Sequence, residues 1–99
     1  MSKAALIPLA SSLPEAWRSS VVARLGDRQL KVLRMDAASY PAESHAYEEA
    51  LLVLDGLMRL SIAGRVHEVR SGEVYVVPAG QAHAVAEGSF GTLVIIDQG

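Results

Sequence analysis

The stretch Gly72-Glu73-Val74-Tyr75-Val76-Val77-Pro78-Ala79-Gly80-Gln81-Ala82-His83 decides how the rest of this sequence is read. Its first half alternates with the period of a strand: Val74 and Val76 share one face, Tyr75 and Val77 the other. Pro78 fixes its own φ and lacks an N–H, so the strand ends there. Gly80 can take a positive φ and turn the chain tightly. His83 then opens the next strand, and a stiff corner aims its imidazole.

Upstream stands Glu43-Ser44-His45-Ala46-Tyr47-Glu48-Glu49, followed after six residues by Gly56. Together the two segments resemble the paired motifs of the cupin superfamily. The second motif, Gly-x5-Pro-x-Gly-x2-His, is met position for position over residues 72–83. The first, Gly-x5-His-x-His-x3-4-Glu-x6-Gly, is met in part. Glu43 stands where the first His belongs, and Ala37 stands at the leading Gly. The closing Asn of the second motif falls on Glu87. The resemblance runs over about residues 30–96, with motif one near 37–56 and motif two near 72–87. It implies a small single-domain cupin, an all-β double-stranded β-helix or jelly-roll barrel. It does not imply one activity, because such a fold hosts many.

The remaining sequence agrees with an all-β chain. Residues 20–25 and 29–36 are strand-like and flank the two-residue turn Gly26-Asp27. Residues 38–44, with Pro41 inside, are expected to be a loop. Asp55-Gly56 is a hairpin signal between residues 50–54 and 57–62, and Ala63-Gly64 turns the chain again before residues 65–70. Strands follow at 84–86 and 90–96. Ser12, Pro14 and Glu15 form a helix-start signature, so one short helix is expected over residues 13–18. Residues 3–7, ended by Pro8, are expected to be an edge strand or an arm pairing with another subunit. Trp17, the single tryptophan, is expected to cover one end of the core.

In a cupin barrel the residues carrying the first motif face inward, and the second-motif His comes from a neighbouring strand. The resemblance therefore brings Glu43, His45, Glu49 and His83 together as metal ligands. Glu43 and His45 are two apart and share a strand face; Glu49 keeps that parity unless a bulge intervenes. Two neutral imidazoles and two carboxylates suit a divalent first-row ion such as manganese, iron, nickel or zinc. The family's usual three His and one Glu would carry +1 around M²⁺, whereas this set is neutral, which lowers the ion's Lewis acidity. The bland reading is a metal-free barrel whose polar groups bond one another. Glu48 points to the opposite face, and His67 lies outside both motifs as a surface residue. Tyr40, Tyr47 and Tyr75 are packing groups that can offer hydroxyls to a ligand.

At 99 residues the chain fits one domain, residues 1–99, burying about 60–65% of its unfolded surface. Half of it is hydrophobic (51%) and 20% charged, an apolar lean that points to a homodimer. Nine basic against eleven acidic residues make no field for nucleic acid. Without cysteine there is no disulfide, thiolate ligand or thiol nucleophile. No apolar run reaches ~20 residues, and the first eight have too short an apolar core for a signal peptide, so a cytoplasmic protein is expected. Three function classes follow: a metal-dependent enzyme of dioxygenase, isomerase or epimerase type, a small-molecule sensor or storage module, and a metal-free structural cupin. The segment between Gly56 and Gly72 leaves no room for a lid, which favours a binding module or an enzyme with a small substrate.

Overall fold

Alternating strands joined by glycine turns curl round in this chain, giving one curled sheet of eight antiparallel strands. The computed structural model describes residues 3–98. In chain order the strands are β1 (Ser20–Leu25), β2 (Arg28–Met35), β3 (Tyr40–Glu43), β4 (Glu49–Ile62), β5 (Arg65–Arg70), β6 (Val74–Val77), β7 (His83–Val85) and β8 (Phe90–Asp97). The path across the sheet is β1-β2-β8-β4-β7-β3, with β5 and β6 pairing β4 beside it. Leu33, Val53, Met58, Leu60 and Leu93 turn inward and pack as the barrel core. Each such side chain contributes about 1.5–3 kcal/mol on burial.

β4 holds the barrel together. Near its start it lies between β6 and β8, with Ala50 pairing Val76 on one side and Ile96 on the other. From Leu57 to Ile62 it pairs β5, and at Leu60 and Ser61 it meets β7. The change of neighbours happens at Asp55-Gly56, and the hairpin expected there does not form. β4 runs through both residues as a single strand of 14. Gly56 at φ 96° pairs with Gly91 at φ 99°, and the register slips between Val53 and Asp55. A Cβ at Gly56 would collide with the Phe90 carbonyl oxygen, and one at Gly91 with that of Asp55. Glycine thus serves a close crossing of two backbones and a bend, not a reversal. The Thr92 N–H donates to Asp55 Oδ1 (3.0 Å) and the Gly56 N–H to Ser71 Oγ (2.9 Å). The Gly72 N–H donates to the Val53 carbonyl (2.7 Å), so the β5–β6 turn is stitched around the bend.

Other turns form as expected. Gly26-Asp27 joins β1 to β2, and Ala63-Gly64, both at positive φ (51° and 77°), joins β4 to β5. Paired positive φ values match the twist of a two-residue hairpin. Residues 40–43 are a strand, not a loop. β3 lies at the sheet edge beside β7, where the missing N–H of Pro41 is tolerated.

The short helix lies earlier than expected. α1 spans Leu6–Ser11, and residues 13–18 are irregular. Pro8 is the third helical residue, where an N–H has no intrahelical acceptor, so it does not end the helix. Ser12 closes the helix instead of opening one: its hydroxyl donates to the Leu9 carbonyl (2.7 Å). Residues 3–7 therefore form no strand. Leu6, Leu9 and Ala10 lie on this chain's own sheet, against Val32 and Val94. Among the described residues no helix is long and apolar enough to cross a membrane.

Candidate metal centre

Each candidate ligand is positioned by a different device. Glu43 ends β3 and pairs with His83, the first residue of β7. Glu49 is the first residue of β4, while His45 lies in the connection between β3 and β4. Strand parity thus does not place Glu43 beside His45 as expected; the corner after β3 does. That corner is tied to the second motif by a 2.7 Å bond from the Gly80 N–H to the His45 carbonyl. Gly80 has φ 80°, and the Gln81 N–H donates to the Pro78 carbonyl (3.2 Å). His83 Nδ1 lies 3.0 Å from the Gln81 carbonyl. A carbonyl only accepts, so Nδ1 carries the proton and Nε2 faces the cavity.

Glu43, His45, Glu49 and His83 each offer a ligand atom, and these atoms all lie within 4.8 Å of one another. His83 Nε2 is 2.7 Å from Glu49 Oε1 and 4.0 Å from Glu43 Oε1, which is 3.6 Å from His45 Nε2. Glu49 is 5% exposed, and its Oε1 meets no donor in hydrogen-bonding geometry despite the nearby ring nitrogen. A buried carboxylate oxygen facing an imidazole lone pair is an arrangement that a cation between them relieves. Ligand atoms about 2.0–2.2 Å from an ion stand at most ~4.4 Å apart, so a 4.8 Å spread needs only slight closing. The residues fit a divalent ion. Two carboxylates balance its charge, and His83 has the backbone partner that orients a ligating ring.

The cluster opens into a cavity of about 230 Å³. Its walls include Trp17, Tyr40 and Tyr47. Trp17 sits at φ 66°, unusual for a bulky residue. It is held there by its N–H on the Arg34 carbonyl (2.8 Å) and its Nε1 on Asp36 Oδ1 (2.9 Å). Its ring packs against Tyr40 (centroids 5.7 Å apart), and Tyr47 stacks on His45 (4.9 Å). Burial holds the Tyr47 phenol above its ordinary value of 10.0, and the Asp97 carboxylate adds to the effect.

Tyr75 does not line the cavity; it packs beside His67, which is half-buried on β5 and apart from the cluster. Glu48 is exposed as expected, and Glu87 lies in an exposed turn. Lys31 and Asp97, not singled out in the sequence, also line the cavity. The signal was parity: Lys31 keeps step with Leu33 and Met35, and Asp97 with Leu93 and Ile95.

A family model described as the cupin domain matches residues 31–97. No curated protein matches the chain in sequence. Among solved structures, a cupin-2 domain containing protein from Shewanella frigidimarina is similar, with TM-score 0.80 and 24% identity over 90% of this chain and 87% of that one. A protein from Neisseria meningitidis aligns with TM-score 0.83 and 22% identity over 99% of this chain and 100% of its own. A cupin superfamily protein from Desulfitobacterium hafniense aligns with TM-score 0.75 and 22% identity, covering 92% and 87%. At these identities the likeness is one of fold.

Proposed function

The chain belongs to the cupin domain family, and from that premise and the four-residue cluster we propose that it binds a divalent metal ion in its barrel mouth and, beside the ion, a small oxygen-bearing molecule. The observation that carries this reading is Glu49. Its buried Oε1 lacks a hydrogen-bond donor and lies 2.7 Å from a ring nitrogen whose proton is on the other side. Glu43, His45, Glu49 and His83 would hold manganese, iron, nickel or zinc. Such an ion, when bound, supplies a Lewis acid for an oxygen ligand. The protein's own part is to fix His83 through Gln81, to fix the His45 corner through Gly80, and to wall the cavity with Trp17 and Tyr40. The cavity, about 230 Å³, suits a small metabolite.

Elemental analysis of protein purified without added metal tests the reading, together with thermal melts in chelator and then with each metal singly. Co-purified metal and a raised midpoint are expected. Metal-free protein whose midpoint none of the four ions moves would end it.

The same reading includes a homodimer. Val74 and Val76 are each 55% exposed, and Val76, Ala50 and Ile96 lie side by side across β6, β4 and β8. A second copy covering this outer face would bury it. Light scattering should give twice the chain mass, and Val76→Glu should return it to one.

A further inference from the structure

The cavity has a second polar wall, and we propose that this wall selects a neutral group that both donates and accepts hydrogen bonds, such as two neighbouring hydroxyls or a carboxamide. The wall is Lys31 of β2 with Asp97 of β8, both lining the cavity. Lys31 Nζ is 2.8 Å from Asp97 Oδ2, with the two side chains 15% and 4% exposed. An ion pair this buried holds its place only if its other lone pairs and protons are met. Here they are not. Asp97 Oδ1 is buried and meets no donor. The ammonium carries three N–H groups, and among the described residues its only acceptor is Asp97. Spare ammonium donors thus stand next to a carboxylate with one unmet oxygen, in a pair of residues that lines a cavity.

That combination sets what fits. A ligand carboxylate at this wall would face Asp97, with Glu49 and Glu43 in the same cavity. A ligand ammonium would face Lys31. A hydroxyl pair or a carboxamide suits both sides, its oxygen accepting from Lys31 Nζ and its O–H or N–H donating to the Asp97 carboxylate. A site built around buried polar groups discriminates strongly, because a ligand lacking the matching groups leaves them unpaired. The inference names the chemistry of the oxygen-bearing ligand but stands without the ion, and its test is run with none.

The experiment is an isotope-labelled heteronuclear titration of the whole chain in excess chelator. The probes are four-carbon molecules of matched length: erythritol, succinamide, succinate and putrescine. Erythritol and succinamide should shift the Lys31 and Asp97 amide signals saturably. Succinate and putrescine should bind weaker on the order of tenfold or more. A response to one neutral probe alone assigns that chemistry, hydroxyl pair or carboxamide, to the wall. The preference should vanish in Lys31→Met/Asp97→Leu, which keeps apolar bulk where the charges were. Lys31→Leu/Asp97→Val serves if that pair does not fold. Succinate or putrescine binding as tightly as the neutral probes would overturn the inference. So would the absence of any saturable shift, or a preference that persists in the altered protein. Because no metal is present, none of these outcomes depends on the metal reading.

Discussion

The floor of the barrel and its mouth are built from the same strands but reach their stability differently. β4 contains both. Its later half carries Met58 and Leu60, each 0% exposed and packed among other apolar side chains, where they form the bottom of the cavity. Its first residue is Glu49, buried with one oxygen unmet, and Asp97 at the end of neighbouring β8 is in the same state. The floor is complete by itself. In the proposed reading the mouth is completed by an ion and a ligand brought to it. Removing a floor side chain should therefore lower stability under every condition, whereas changing the mouth should alter how stability responds to ligands.

The largest effect should come from the floor. Met58→Ala should cost about 2–5 kcal/mol and lower the midpoint by 10 °C or more. The shift on adding metal should stay intact; its loss would break the division drawn here. Gly56→Ala should be comparably severe, because its Cβ meets backbone. Gly64→Ala, also at positive φ but in open space, should cost only ~1 kcal/mol.

Next comes the response of the mouth. Metal at about 100 times its Kd adds ~2.7 kcal/mol and should raise the midpoint on the order of 10–20 °C. His83→Ala should abolish most of that rise, and His67→Ala should leave it unchanged. The rise should shrink below about pH 6, since imidazole ligands compete with protons. Equal rises in wild type and His83→Ala would move the ion elsewhere. Glu43 is a smaller case. At 44% side-chain exposure it sits on the rim, and Glu43→Gln should weaken metal binding roughly tenfold, reducing the rise without removing it.

The smallest effect is alkaline. Tyr47 holds its proton more tightly folded than unfolded. Its contribution is therefore fully present below pH 10 and declines as pH rises past that value. Melts above pH 10 should show a shallower decline in Tyr47→Phe than in wild type.

The mouth's second motif was legible because Pro78, Gly80 and His83 act over a few residues, and local backbone chemistry fixes the corner. Asp55-Gly56 was misread because a turn and a bend ask the same of a glycine; only distant Gly91 separates them. The helix was misplaced because Ser12 and Pro8 carry signals valid at either end of a short helix. Lys31 and Asp97 were missed because a charged residue on a strand usually points to water, and only barrel closure turns this pair inward. Motif position placed Glu43 with His45, Glu49 and His83, where the structure has it, although the strand carrying it was read as a loop.

The placement of β8 has a consequence for how the chain is made. It is the last of the eight described strands to emerge during synthesis, yet it lies between β2 and β4. Until about residue 97 leaves the ribosome, those two strands each have an unpaired edge, one carrying Val32 and Leu33, the other Leu51 to Val53. Nascent chains halted before β8 are therefore open sheets with apolar edges, the state most prone to capture by chaperones or by one another.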